Sequence, residues 1–127
     1  KELVFVSGDS HSSYAFEVPS NPAIYDARTS NGTIAVEFAT PSITSSNLGT
    51  YETEEKVKEV ETAMKKANRH LKYVDLSHNG YIILELSPTQ IYAHYYYVDK
   101  VNEHSTNEEQ AITYIKRRAS NQLIRKN

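Results

Sequence analysis

Directly after a short apolar run, Leu3-Val4-Phe5-Val6-Ser7, the chain reads Gly8-Asp9-Ser10-His11-Ser12. A carboxylate and an imidazole thus stand two positions apart. In extended chain such residues project to the same side, so Asp9 and His11 can share a metal centre or flank a polarised water. Their place in the chain fits that use, because ligands of α/β sheets gather just beyond the carboxyl ends of strands. The plain alternative is a Gly-Asp turn followed by a surface histidine. Ser10 and Ser12 are weak nucleophile candidates, since adjacent strand side chains point apart and His11 could not serve either as base. No Gly-x-Ser-x-Gly elbow is present.

A second group of polar side chains follows a second strand-like run. In Thr40-Pro41-Ser42-Ile43-Thr44-Ser45-Ser46-Asn47 the hydroxyls, Ser42 and Thr44 among them, can donate to a phosphate or a carbonyl. Loops of this composition are also common without any ligand. His70 falls near the end of a helical segment, where an imidazole can serve as a dipole-stabilised cap. His78 falls in a turn, and His94 and His104 read as structural. Tyr92, Tyr95, Tyr96 and Tyr97 could stack nucleobases. Only Lys100 follows them, however, and strand tyrosines more often fill half-buried faces with the hydroxyl reaching water.

The elements that must position these residues are mixed. The run 3–7 does not alternate, which predicts a strand covered on both faces. A strand is expected over 13–18, ended by Pro19. Ser30-Asn31-Gly32 suggests a hairpin joining 24–26 to 33–38. Val57, Val60, Met64, Ala67 and Leu71 recur at spacings of 3, 4, 3 and 4, which predicts an amphipathic helix over about 53–68. Acidic residues at its start and basic residues at its end suit the dipole, and Thr50 or Thr53 can cap it. An extended stretch over 72–76 leads to a turn at Ser77-His78-Asn79-Gly80, with Gly80 read as a positive-φ residue. A hairpin over about 81–98 follows, its apolar face expected against the helix. The segment 102–110 reads as linker, 111–118 as either helix or edge strand, and 120–127 as a tail.

Composition bounds the function classes. A chain of 127 residues fits one domain. With 14 Lys and Arg against 16 Asp and Glu, bulk positive charge cannot drive nucleic-acid binding, and no such surface is expected. The absence of cysteine excludes disulfides and thiolate sites within these residues. No apolar run is long enough for a membrane span. The start at Lys1, immediately before a strand, suggests a piece of a longer protein.

Several blocks together resemble the alkaline phosphatase D, or PhoD-like, metallophosphatases. Val6-Ser7-Gly8-Asp9-Ser10-His11-Ser12-Ser13-Tyr14-Ala15-Phe16-Glu17 resembles that family's C-terminal signature. Val36-Glu37-Phe38-Ala39-Thr40-Pro41-Ser42-Ile43-Thr44-Ser45 resembles its next block. Asn68-Arg69-His70-Leu71-Lys72-Tyr73-Val74-Asp75-Leu76 with His78-Asn79-Gly80-Tyr81 resembles a third. The resemblance implies an α+β, αββα-type fold: the C-terminal part of a β-sandwich similar to calcineurin-like metallophosphoesterases, with residues 1–127 forming that part. It implies Asp9 and His11 as metal ligands, Ser42, Thr44 and His70 as substrate contacts, and calcium and iron as cofactors. Carboxylate and hydroxyl oxygens suit the calcium and the imidazole suits the iron. The implied reaction is hydrolysis of phosphomonoesters and phosphodiesters, in a periplasmic or extracellular protein. The family's upstream ligand motifs, a cysteine among them, are not in this sequence, and Asn68-Arg69-His70 stands where members often have Asn-Pro-His. The chain alone is therefore expected to be inactive and to self-associate, its partners being a phosphate ester and the missing N-terminal part of the same enzyme. The alternative reading is a non-catalytic binding or structural module that reuses this part of the fold.

Overall fold

The computed structural model describes residues 2–99 and 101–126. Among the described residues, eight strands form two four-stranded sheets packed face to face. The first sheet has β1 (Leu3–Ser7), β2 (Ser13–Pro19), β3 (Thr33–Ala39) and β4 (Leu71–Asp75) in the order β1-β3-β2-β4. β1 runs parallel to β3, and the other pairs are antiparallel. The second sheet is a meander of β5 (Gly80–Leu86), β6 (Gln90–Val98), β7 (Glu108–Arg117) and β8 (Leu123–Lys126). Two helices, α1 (Leu48–Tyr51) and α2 (Glu54–Ala67), precede β4. The chain is thus mostly β, with less helix than an αββα-type fold implies.

Ala15, Val36 and Phe38 of the first sheet meet Ala93, Tyr95, Ile112, Tyr114 and Leu123 of the second. The opposite face of the first sheet carries α2: Val57, Val60 and Met64 pack with Tyr14, Phe16, Leu71, Val74 and Leu76. The hairpin β5–β6 therefore packs on the first sheet and not on the helix, which corrects the expected partner. Helix α2 begins where the sequence placed it, with Thr53 Oγ accepting the Lys56 amide at 3.3 Å. It stops at the Asn68 cap, so His70 is not a helix cap.

Four of the chain's ten tyrosines bond across the two sheets. Tyr95 donates its hydroxyl to the Tyr14 carbonyl at 2.6 Å, Tyr114 donates to the Lys72 carbonyl at 3.0 Å, and Tyr97 donates to Ser13 Oγ at 3.0 Å. Tyr73 and Tyr97 share a hydroxyl contact at 2.7 Å. These hydroxyls reach the opposite sheet and not water, so each buried ring keeps a partner that would cost about 1–3 kcal/mol to lose. Burial pushes the phenols of Tyr73, Tyr95 and Tyr97 well above their ordinary range.

Glu17 is fully buried. Tyr25 donates to its Oε2 at 2.6 Å, Lys72 Nζ lies 3.3 Å from that oxygen, and the Leu123 amide donates to Oε1 at 2.8 Å. One carboxylate thereby ties β2, β4 and the loop before β3 to β8. The expected tail is a paired strand for this reason, with Leu123 in the core. The ambiguous segment 111–118 lies mostly in β7, where Ile112 and Tyr114 point into the core. The expected hairpin at 24–38 reduces to a 3-10 turn at Pro22–Ile24 and a single bridge between Asp26 and Asn31.

Strand β1 departs most from expectation. It lies at the edge of its sheet, and Leu3, Phe5 and Val6 are 50%, 50% and 62% exposed. An apolar parallel strand is normally covered on both faces, and here that cover is absent on one edge.

Candidate functional site

Strands β1 and β3 end together, Ser7 pairing with Ala39, and the Thr40 amide closes on the Ser7 carbonyl at 3.0 Å. Beyond these ends lie the loops 8–12 and 40–47. The turn 76–80 joins them, because Asp75 pairs with Ser13 at the end of β4.

The loop 8–12 is not extended. Asp9 and His11 both take left-handed backbone, at φ 68° and 55°. The Ser10 amide donates to the Gly8 carbonyl at 2.8 Å, closing a tight turn centred on Asp9. Asp, Asn and His are the non-glycine residues that enter this region most readily, at a cost of about 1–2 kcal/mol each. The turn is thus made by Asp9, not by Gly8, and the same-side argument from extended chain does not describe it. Asp9 is exposed. His11 is half-buried, with Nδ1 at 2.8 Å from the Ser46 carbonyl. A carbonyl only accepts, so Nδ1 carries the proton, and in the neutral ring the lone pair is on Nε2.

Ser42 serves its own loop: Oγ accepts the amides of Thr44 at 3.3 Å and Ser45 at 2.7 Å. Its hydroxyl proton is still available to donate. Thr44 is exposed. The fold thus brings Ser42 and Thr44 to the same end of the sheet as Asp9 and His11. His70 is elsewhere. It precedes β4 at the end opposite Asp75, its carbonyl accepts the Glu17 amide at 3.0 Å, and its ring lies against Phe16 and Tyr25. His94 bonds Thr113 and Glu85 on the second sheet, and His104 is exposed.

Sequence reasoning placed His78 in a turn and gave it no role at the site. Asp75 Oδ1 accepts the amides of Ser77 at 3.0 Å and His78 at 2.9 Å, while its Oδ2 sits 2.7 Å from His78 Nδ1. The imidazole stacks on Tyr97, centroids 4.7 Å apart. The bond to Asp75 holds His78 above its ordinary range, and the Asp75 carboxyl is drawn down by the same bonds although burial opposes it. The spacing Asp75-x-x-His78 was the available signal. Two hollows of about 450 and 430 Å³ flank the ring. The larger hollow, about 800 Å³, runs along the charged face of α2 and gathers none of the loop residues. Gly80 has no positive φ; its place is fixed because a Cβ there would lie 1.9 Å from the Tyr96 carbonyl oxygen.

Among the described residues, no group of three or more His, Cys, Asp or Glu side chains could hold a metal ion. Asp9 and His11 match such an ion in kind, an oxygen and a nitrogen donor, but not in number, since four to eight ligands are usual. No helix among the described residues is long and apolar enough to cross a membrane.

Comparison with known proteins bears on the whole arrangement. No curated protein matches the sequence. One solved structure, described as the structure of PhoD, superposes with a TM-score of 0.76 at 22% identity. It covers 96% of this chain, whereas the chain spans only 22% of its length, and at that identity the likeness is one of fold. The family model for the PhoD-like phosphatases matches residues 1–95, which include both left-handed loop residues, the hydroxyl loop and the Asp75–His78 turn. That match covers most of the chain, and the chain therefore belongs to the PhoD-like phosphatase family.

Proposed function

We propose that this chain is the C-terminal part of a metal-dependent phosphoesterase of the calcineurin-like type, and that it supplies Asp9 and His11 to the cation site. The observation that carries the reading is the loop beyond the paired ends of β1 and β3. There, two donors sit on left-handed backbone, which costs energy even for Asp and His, and His11 Nδ1 is engaged by the Ser46 carbonyl, which leaves Nε2 for a ligand. Strain of this kind concentrates at functional sites. Calcium with iron is the cofactor set that the family resemblance implies. The chemistry such cations supply when bound is neutralisation of phosphate charge and acidification of water. The chain's own residues do the rest: the Asp9 carboxylate and His11 Nε2 hold, and the Ser42 and Thr44 hydroxyls donate to phosphate oxygens. His70, at the far end of the sheet, has no part in this group.

Two donors cannot complete the site, so the remaining ligands come from another part of the enzyme. The uncovered edge of β1 supports this, because it offers strand pairing and the apolar side chains of Leu3, Phe5 and Val6. In the isolated chain the same edge promotes self-association, which sizing chromatography reports. Location outside the cytoplasm follows from the resemblance. The test has two readouts on the purified chain. Hydrolysis of bis(p-nitrophenyl) phosphate with added calcium and iron is expected to be absent, and chelator-sensitive turnover would overturn the assignment of inactivity. Manganese(II), used as a paramagnetic probe, is expected to broaden NMR signals of 8–12, and to lose that selectivity in Asp9→Ala. Broadening that ignores this loop would remove the cation site and favour a non-catalytic module.

A further inference from the structure

We infer that Asn79 is a positioning residue for His11, acting through the loop that carries Ser46. The inference rests on the proposed role of His11 as a ligand, but its geometry stands separately. The Ser46 carbonyl that accepts from His11 Nδ1 belongs to the polar loop 42–47, which is tied locally by Ser42 Oγ to the amides of residues 44 and 45 and by Asn47 to Thr50 at the start of α1. The loop's longer-range anchor is the Asn79 amide group. Nδ2 donates to the Ser42 carbonyl at 3.1 Å and to the Ser45 carbonyl at 2.8 Å, and Oδ1 accepts from Asn47 Nδ2 at 3.3 Å. Two carbonyl acceptors on one side fix that atom as nitrogen, so the orientation of the amide is determined. The side chain thereby grips both ends of the loop and the residue immediately before Ser46.

Asn79 is itself anchored. Its carbonyl accepts the Val98 amide at 3.0 Å, and the next amide, that of Gly80, donates to the Ser42 carbonyl at 2.9 Å. The first strand of the second sheet thus begins by locking a loop of the first sheet. The consequence for His11 is chemical. Imidazole in water carries its proton mainly on Nε2, which is the wrong form for ligation through Nε2. A carbonyl held at Nδ1 selects the other form and fixes the ring, the usual task of an outer partner to a ligating histidine. Ser46 supplies that carbonyl from its backbone, so no substitution of Ser46 removes it. The side chain that sets its position is Asn79.

The test is the tautomer of His11 in the ion-free chain, read from long-range ¹H–¹⁵N correlations, which a merely structural role would leave unchanged. In the wild type the Nδ1–H form is expected. Asn79→Asp turns a double donor into an anionic acceptor facing the same two carbonyls, and is expected to return His11 to mostly Nε2–H while the melting transition remains cooperative. An unchanged tautomer in Asn79→Asp would overturn the inference. Asn79→Ser removes both amide donors, and its single hydroxyl is too short to span the Ser42 and Ser45 carbonyls, so it acts in the same direction without adding charge. Loss of folding in both variants would also overturn it, by making Asn79 a folding residue. Manganese(II) titration separates the underlying reading. Affinity at the loop is expected to fall about tenfold in Asn79→Asp. If the wild type binds no manganese there while the tautomer still responds to Asn79, the ligand role of His11 fails and the positioning role stands.

Discussion

Replacing Glu17 by alanine removes a group that ties four elements together. In the folded chain its carboxylate is fully buried and receives the Tyr25 hydroxyl, the Leu123 amide and the Lys72 ammonium, whose side chain is 20% exposed. Alanine leaves the Tyr25 hydroxyl and the Leu123 amide without an acceptor and takes the counter-charge from Lys72. The orphaned amide and hydroxyl each cost about 1–3 kcal/mol, while Lys72 keeps its bond to the Ala27 carbonyl at 3.1 Å and enough exposure to recover some hydration. Such penalties overlap, and breaking a buried charge pair from one side costs about 3–5 kcal/mol in total. A domain of this size loses about 3–4 °C of Tm per kcal/mol, so the expected drop is about 10–20 °C. Glu17→Gln keeps an acceptor of nearly the same shape and is expected to lose less, about 1–3 kcal/mol. Thermal melting followed by circular dichroism measures both. Hydrogen exchange adds a local readout, since the Leu123 amide should lose protection before the rest of β7 and β8. A Tm for Glu17→Ala within about 2 °C of wild type, the size of a neutral surface change, would show that the carboxylate does not hold β8 in place.

Two further outcomes follow from the turn beside the site. His78 binds its proton more tightly in the folded chain than in the unfolded one, so its contribution is complete below about pH 6.5 and fades as the pH rises through the higher folded value. Urea midpoints should therefore fall between about pH 6 and 9 in the wild type and lose that slope in Asp75→Asn, and an identical slope in both would refute the pairing. Gly80→Ala should cost at least about 3 kcal/mol, because its Cβ would meet backbone that cannot yield. Gly32→Ala, at φ 88° and with no contact closer than 3.6 Å, should cost only about 1–2 kcal/mol. Equal melting temperatures for the two variants would contradict the close approach at Tyr96.

The sequence by itself determined the parts governed by neighbours along the chain. The spacing of Val57, Val60 and Met64 specified α2 and its buried stripe, and Thr53 its start. Ser87-Pro88-Thr89 between two apolar runs specified the β5–β6 hairpin. The ordered blocks around Asp9, Ser42 and His70 specified the family. Tertiary structure decided what depends on partners remote in sequence. Residues 111–118 have no single period, and only pairing with β6 and β8 makes most of them a strand. The last strand exists because Leu123 finds Glu17 across a separation that no local pattern encodes. The Leu3–Ser7 run is apolar on both faces, as read, yet its neighbours leave it half-exposed at an edge. The site divides the same way. Residue types named Asp9 and His11, but left-handed backbone replaced the extended geometry assumed for them, and a carbonyl contributed by another loop set the tautomer. A backbone carbonyl is present at every position of the chain, so its identity as a partner carries no signature in the sequence; only the packing of loops chooses which one is used.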